Sequence, residues 1–400
     1  MEKLNEKQRN ILEHILKGKN AFITGFAGSG KSYLTSYIYE SLKNKNVALT
    51  AMTGCASVLI NGRTLHSTLG IGLAKDDPTD LIKKICKREG MYKFLLNLEV
   101  LIIDEVSMLS DDLFDKIATI FQIIHKSETP FGKLQIVLVG DMSQLKPVQG
   151  DYCFYAKHWD ACKINVCVLT ENMRIDNDLP FHNLLMSIRW GKINDTALIE
   201  EMKNNTFLGD IKPTKLFSTN KCVDNINQYE IGVLGNKLET YGIKINPLKL
   251  KASKKYINEN KIPEFVQVCV GSQVMITRNI EGNIVNGTRG IVIFTSQTFV
   301  TIKLVCGRLY NLCYLHVQEE LIDFKYLPLT LAWAMTIHKC QGATIDCIEV
   351  DLGDSIFANG QAYVALSRAR SSKNVKITSF SKRSIKADTR VVDFYKKYLI

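Results

Sequence analysis

Apolar residues in this chain gather into short unbroken runs separated by stretches with helical spacing. Ala21 to Thr24, Val47 to Thr53, Val100 to Ile103, Leu134 to Val139 and Val166 to Leu169 carry almost no charged side chains, the composition of strands buried on both faces. Between them, Leu4, Ile11, Leu12, Ile15 and Leu16 recur at helical spacing, as do Leu34, Ile38 and Leu42 and the apolar positions from Leu113 to Ile124. Buried strands alternating with amphipathic helices predict a parallel α/β sheet that binds its ligand at the carboxyl edge. A first domain boundary falls just after Arg174. The alternation then returns with Lys215 to Asn220, a helix to about Leu234, strands at Leu329 to Met335, Ile345 to Leu352 and Val375 to Phe380, and a closing helix from Val391 to Leu399.

From Phe265 to about Phe324 the period changes to two. The runs Gln273 to Thr277, Gly290 to Phe294, Phe299 to Val305 and Arg308 to Leu315 are broken by turns at Asn286-Gly287 and Cys306-Gly307, which predicts a small antiparallel barrel inserted into the second α/β domain. Two stretches read as peripheral. Gly70 to Asn97, with Pro78 and the basic cluster Lys83, Lys84, Lys87 and Arg88, looks like an insertion on the rim, and lysine-rich Lys244 to Lys261 like a solvated connector.

The candidate chemistry sits where the strands end. Gly25-Phe26-Ala27-Gly28-Ser29-Gly30-Lys31-Ser32 follows one strand and opens a helix, the context of a phosphate-binding P-loop. Glycines at Gly25, Gly28 and Gly30 let backbone amides around Ser29 turn inward on an anion, Lys31 reaches the terminal phosphates, and the Ser32 hydroxyl can ligate magnesium. Asp104 and Glu105 end the third strand; with a P-loop upstream, Asp104 is expected to hold magnesium with Ser32 and Glu105 to polarise the attacking water. Gln144 ends the fourth and can sense the γ-phosphate. Gln8, on the first helix, is either a solvated side chain or a reader of the adenine edge. Thr64-Leu65-His66-Ser67, after a strand, suits contact with a sugar-phosphate backbone, and equally suits a turn that caps a helix.

Composition narrows the partners. The 400 residues are 46% hydrophobic and 23% charged, enough for two or three globular domains. A formal charge of +11 points to a polyanion, although a lysine surplus also serves solubility. The eleven cysteines are an odd number without metal-site spacing, and the start of the chain does not read as a signal peptide, so a reducing compartment, cytoplasmic or nuclear, is expected, with no structural metal. No apolar run reaches the roughly 18 residues of a membrane span.

Taken together, Asp104-Glu105-Val106-Ser107-Met108, Pro130-Phe131-Gly132, Gly140-Asp141 with Gln144-Leu145, Thr64 to Ser67, Thr336-Ile337-His338-Lys339-x-Gln341-Gly342 and Tyr363-Val364-Ala365-Leu366-Ser367-Arg368 resemble a superfamily 1B helicase, the branch of the petite-integration-frequency and RecD-like helicases. The resemblance runs from Gln8 to Arg370 in the family's order. It implies two RecA-like domains, 1–175 and 176–264 with 325–400, with ATP between them. An SH3-like insertion at 265–324 and a wedge element within 63–97 complete the expected layout. In that family the residues matching Gln8 read adenine, those matching Arg174 and Arg368 reach the γ-phosphate, and those matching Thr53, His66, Asn220, Thr336, His338 and Lys339 lie along the bound strand. Three positions depart from the family pattern: Lys146 for proline, Cys340 for serine, and Ile175 for glutamine after Arg174.

The function so implied is an ATP- and Mg2+-dependent DNA helicase translocating 5′ to 3′, acting as a monomer on single-stranded DNA and on junctions of single and double strand, without terminal recruitment modules. The alternative is a nucleic-acid-stimulated ATPase that clamps or remodels complexes without separating strands. A P-loop kinase or nucleotide switch leaves the second α/β half unexplained. For RNA as the track, no residue reads the 2′-hydroxyl.

Overall fold

The computed structural model describes residues 4–172, 178–207, 209–259, 262–280, 284–318 and 322–398. They divide into two compact units, 1–175 with 387–400, and 176–386.

The first unit runs α1 (Glu6–Leu16), β1 (Ala21–Gly25), α2 (Lys31–Ser41), β2 (Val47–Ala51), α3 (Gly54–Leu59), β3 (Arg63–Thr64), α4 (Leu65–Leu69), α5 (Pro78–Cys86), α6 (Glu89–Asn97), β4 (Val100–Asp104), α7 (Asp111–Ile124), β5 (Gln135–Gly140) and β6 (Asn165–Leu169). All six strands are parallel, in the order β3-β2-β4-β5-β1-β6. Every residue of β1, β4 and β5 is buried, as their unbroken apolar runs require. One face of the sheet packs Ile11, Leu12 and Ile15 of α1 with Leu34 and Ile38 of α2 against Ile23, Ile102, Val137 and Val139. On α7, the Ser110 hydroxyl accepts from the Leu113 amide and Asp111 and Asp112 occupy the first turn, a strong helix start.

Two expectations shift here. Arg63 and Thr64 pair with Thr50 and Ala51 as the edge strand of the sheet, so the 63–97 segment begins inside the α/β core. Its helices α5 and α6 also bury Leu81, Ile85 and Leu95 completely or nearly so, because their apolar faces need the cover that α7 gives; they are packed elements of the unit rather than a bare rim.

In the second unit α8 (Leu179–Arg189), α9 (Thr196–Lys203), β7 (Thr214–Phe217) and α10 (Asn220–Leu234) precede β8 (Glu239–Gly242), β9 (Lys244–Ile245), α11 (Leu250–Glu259) and β10 (Phe265–Val268). There follow β11 (Gln273–Ile276), β12 (Arg289–Thr295), β13 (Phe299–Leu304), β14 (Leu309–Cys313), β15 (Leu315–Gln318), β16 (Asp323–Tyr326), β17 (Leu329–Leu331), β18 (Ala334–Thr336), β19 (Ile348–Leu352), α12 (Gln361–Leu366) and β20 (Val375–Phe380), after which α13 (Thr389–Lys396) returns to the first unit. Strands β18-β7-β19-β20 form a parallel sheet, and β14-β13-β12-β11-β17 an antiparallel one.

The antiparallel block is larger than its period-two stretch. Leu329 pairs with Ile276, so the parallel sheet resumes only at Ala334. The lysine-rich 244–261 segment contains α11, whose Tyr256 and Ile257 join Ile262, Phe324 and Tyr326 in a small core of their own, while the lysines take the outer face. Finally, 387–400 belongs with the first unit and not with 325–386. Val391, Phe394 and Tyr395 of α13 are buried there, and the Phe394 ring lies 6.3 Å from Phe22 of β1 and 4.3 Å from Phe154.

The antiparallel and parallel sheets of the second unit are tied by Arg289, which is 2% exposed. Its guanidinium donates to both Asp346 carboxylate oxygens at 2.6 and 2.7 Å, and to the Lys212 carbonyl and the Thr214 hydroxyl at 2.6 and 3.1 Å. Arg289→Ala is expected to destabilise this unit by about 1–3 kcal/mol, because it deletes a buried guanidinium and the hydrogen bonds by which it joins the two sheets. Arg289→Lys should recover less than half, since one ammonium cannot match the two-pronged contact. Urea unfolding followed by tryptophan fluorescence checks both.

Candidate functional site

Three adjacent strands, β4, β5 and β1, deliver their loops to the same carboxyl edge of the first sheet. The loop after β1 is the predicted P-loop. Gly25 starts it at φ 155°, and a Cβ there would lie 2.6 Å from the Leu169 carbonyl oxygen and from the Ser29 hydroxyl; no other residue fits. Gly28 and Gly30 follow with left-handed backbone, and Gly30 precedes the first turn of α2. The Lys31 ammonium donates to the carbonyls of Gly25 and Phe26 at 2.8 and 2.9 Å, which holds it over the loop. Ser32 is exposed in the first turn, while the Ser29 hydroxyl is buried with no hydrogen-bond partner.

Gln8 is the clearest revision of the sequence reading. It is 1% exposed, which excludes a solvated side chain. Its carbonyl oxygen accepts from the Asn5 amide at 3.2 Å while the Asn5 side chain accepts from the Gln8 amide at 2.7 Å, a reciprocal cap on α1. The side-chain nitrogen is left buried without a partner. Asn5, a contributor the sequence reading missed, therefore fixes the glutamine with its amide donor free. An Asn three residues before a Gln at a helix start was the available signal.

At the end of β4, Asp104 is buried, and its carboxyl accepts from the Glu105 amide at 2.8 Å. Burial pushes its pKa up to about 7, reinforced by the neighbouring Glu105 charge and opposed by the Glu105 amide and by Lys31. Glu105 adopts φ 53°, ψ 44°, a left-handed conformation uncommon for a side chain of this size and typical of functional turns. Gly140, ending β5, has to be glycine because a Cβ would meet the Val106 amide nitrogen at 2.9 Å. The turn it opens folds back through the Gln144 amide, which donates to the Asp141 carbonyl at 3.0 Å. Gln144 is 5% exposed, and its side-chain oxygen is buried without a partner.

These features fit a magnesium–nucleotide. A buried carboxyl held near neutrality needs a cation to ionise, Lys31 and the loop amides suit phosphate, and Gln8, Ser29 and Gln144 each keep a buried polar atom unused. Among the described residues no cluster of His, Cys, Asp and Glu could hold a metal by itself. Nor is any described helix long and apolar enough to cross a membrane.

The predicted strand contacts fall at the neighbouring part of that edge. Thr53 follows β2 and accepts from the Ala56 amide at 3.2 Å, opening α3; half-buried His66 sits on α4 just after β3. The second unit brings together its own four: Asn220 follows β7, Thr336 ends the adjacent β18, and His338 and Lys339 follow it. Asn220, His338 and Lys339 are exposed, whereas Thr336 is buried and its hydroxyl accepts from the Lys339 amide at 3.3 Å, ordering the turn.

Arg368 is 1% exposed, and its guanidinium donates to the carbonyls of Val364, Cys340 and Ala343 and to the Ser367 hydroxyl, all within the second unit. Arg174 and the Ile175 departure lie outside the described residues. Cys340 is fully buried, with its thiol donating to the Ile337 carbonyl at 3.2 Å and pushed up to about 11 by burial, so it does the local work a serine hydroxyl could do. Lys146 is exposed and displaces nothing from the core.

Fold and site define a P-loop protein with a second parallel α/β unit. A family model described as PIF1-like helicase matches residues 3–198. The chain is 34% identical to the ATP-dependent DNA helicase PIF1 of Danio rerio across 99% of its own length, spanning 64% of that protein. It superposes on the crystal structure of Pif1 helicase from Candida albicans with a TM-score of 0.82 at 31% identity, covering 98% of this chain and 99% of that one. A Bacteroides Pif1 helicase in complex with ADP-AlF3 and ssDNA gives a TM-score of 0.73 at 29% identity, covering 99% and 98%. The chain belongs to the PIF1-like helicase family.

The Asp104 carboxyl makes a testable statement about stability. Between its ordinary 3.8 and about 7 the folded chain holds a proton that the unfolded chain has released, so stability falls as pH rises through this window. Asp104→Asn keeps the acceptor for the Glu105 amide and deletes the charge. Without nucleotide or magnesium it is expected to raise thermal stability at pH 8 by at most about 4 kcal/mol, with the gain vanishing near pH 4. Calorimetric melts at the two pH values check it.

Proposed function

We propose that this chain is an ATP-dependent DNA helicase that moves 5′ to 3′ along single-stranded DNA and separates duplex ahead of it. The observation that carries this reading is the shared sheet edge of the first unit: Lys31, Asp104 with Glu105, and Gln144 lie at or after the carboxyl ends of β1, β4 and β5, and Thr53 and His66 come after those of β2 and β3. One edge thus serves a triphosphate and a polynucleotide side by side. Family membership supports the same reading, as does the Bacteroides relative that holds both ADP-AlF3 and ssDNA.

Each residue's part follows from its chemistry. Gly25, Gly28, Ser29 and Gly30 offer backbone amides to the phosphates, and Lys31 exchanges its two carbonyl partners for the β- and γ-phosphate oxygens. Ser32 and Asp104 would hold magnesium, which when bound neutralises phosphate charge. Glu105 orients the attacking water, Gln144 reports the γ-phosphate through its amide, and Gln8 offers its unused amide to adenine. Arg174 and Arg368 supply guanidinium charge to the terminal phosphate in turnover, Arg368 by leaving carbonyl partners in its own unit. Thr53, His66, Asn220, Thr336, His338 and Lys339 grip sugar and phosphate, so binding reads backbone more than base. An SH3-like character for the antiparallel block, and a wedge role for helices α5 and α6, belong to the same proposal.

Displacement of a labelled strand from duplexes carrying a 5′ tail, a 3′ tail or none tests it. ATP-dependent release from the 5′-tailed duplex alone is expected. Release from the 3′-tailed duplex alone would reverse the polarity, and strand-stimulated hydrolysis with no release would favour a clamp or remodeller.

Lys31→Ala and Glu105→Gln separate binding from chemistry at this site. Both should reduce strand-stimulated turnover about a hundredfold or more. Only Lys31→Ala should also weaken ATP affinity substantially, about tenfold, because glutamine preserves the shape of Glu105 while losing its charge. Fluorescent-nucleotide titration beside steady-state ATPase rates checks the split.

A further inference from the structure

The last helix places one hydroxyl among groups that the nucleotide site depends on. Tyr395 of α13 is fully buried in the first unit. Its oxygen lies 2.5 Å from the Thr24 hydroxyl, on the residue immediately before the P-loop. It accepts from the Met142 amide at 3.0 Å and donates to the Asp141 carboxylate at 3.4 Å, in the turn that carries Gln144. Thr24 pairs with Gly140 in the parallel β1–β5 ladder, so the hydroxyl spans two neighbouring strand ends just where both turn into loops.

One proton assignment satisfies all three contacts. Thr24 O–H and Met142 N–H donate to the two lone pairs of the tyrosine oxygen, whose own hydrogen goes to Asp141. The same Asp141 oxygen accepts from the Ser143 amide at 3.1 Å, which draws the turn together one residue before Gln144. The ring needs none of this. Its neighbour Phe394 lies 5.5 Å away centroid to centroid and already supplies an aromatic wedge against Phe22 and Trp159.

We propose that Tyr395 is a positioning residue for ATP hydrolysis: its hydroxyl ties the strand end that feeds the P-loop to the turn that presents Gln144, and so fixes the γ-phosphate-sensing amide relative to Lys31. It touches no reacting atom and acts through Thr24, Asp141 and Met142. The inference rests on the ATPase reading above.

Tyr395→Phe deletes one oxygen and keeps the ring. Strand-stimulated kcat should fall about tenfold while KM for ATP stays within twofold, since the P-loop itself is intact and the lost contact governs the turn beside it. Thr24→Val, which removes the partner hydroxyl, should give the same split, Thr24→Ser should restore wild-type kcat, and the Tyr395→Phe/Thr24→Val double variant should be no slower than the worse single one. Val391→Ala loosens α13 through its buried face without touching the hydroxyl. At equal loss of thermal stability it should leave kcat within twofold. A Tyr395→Phe variant with wild-type kcat beside an active wild type overturns the proposal alone. So does Val391→Ala slowing turnover as much as Tyr395→Phe, because the helix would then act only as general support. A wild-type chain without strand-stimulated ATPase activity overturns the ATPase reading, and the proposal with it.

Discussion

Asp104 is a carboxyl group at the end of a strand that offers it almost no water. The strands on either side of β4 are β2 and β5, and the five residues of β4 are all buried, so the group sits in a medium of low effective dielectric. There its negative charge is costly, and Glu105 next to it makes the charge costlier still. The same medium makes a cation's attraction strong. A carboxyl placed this way titrates near neutrality. The rest of the edge answers that constraint. Lys31 already opposes the shift, and the Glu105 amide, from a residue in left-handed conformation, donates to the carboxylate.

Much of this edge was legible in the sequence because two-sided burial leaves an unambiguous trace. Val100 to Asp104 and Gln135 to Gly140 can be nothing but central strands, and a glycine-rich loop following such a strand has one geometry open to it. What was not legible depended on neighbours distant in sequence. Gln8 looks solvated among its charged neighbours until α1 is laid on the sheet, when it turns out buried and held by Asn5. Lys244 to Lys261 looks polar because lysines outnumber apolar residues, yet Tyr256 and Ile257 alone suffice for a helix once Phe324 and Tyr326 arrive from about seventy residues downstream to cover them. The 63–97 segment looked like an insertion because Arg63-Thr64 is too short to register as a strand without Thr50 and Ala51 beside it.

The helicase-like motifs of the second unit carry a further physical lesson. Thr336 to Gly342 and Tyr363 to Arg368 can each be recognised alone, but nothing in either stretch says that they hold each other. In the fold the Arg368 guanidinium fastens the Cys340 and Ala343 carbonyls, and the Cys340 thiol fastens that of Ile337. The two motifs are thus held together within the second unit by buried side-chain-to-carbonyl bonds, an arrangement that burial of a guanidinium requires.

Chain order and spatial order part company most clearly at α13. A reading that assigns residues to domains in sequence blocks puts the last fourteen with the strands preceding them, since nothing between Val375 and Ile400 resembles a boundary. The physical assignment follows burial. Phe394 finds its aromatic partners in Phe22, Phe154 and Trp159. Arg390 finds Asp151 and Asp388 on the same unit, with 2.7 Å between its Nη2 and the Asp388 carboxylate. Such contacts explain a docked helix, and an apolar side chain at position 395 would have served them equally well. A tyrosine hydroxyl carried into a core is unfavourable unless it is satisfied. This one is satisfied three times, by Thr24 at the end of β1 and by Asp141 and Met142 in the turn after β5. The helix thus brings the sheet edge something its own strands do not supply, a polar bridge across the β1–β5 step at the point where ladder hydrogen bonding ends and the loops begin.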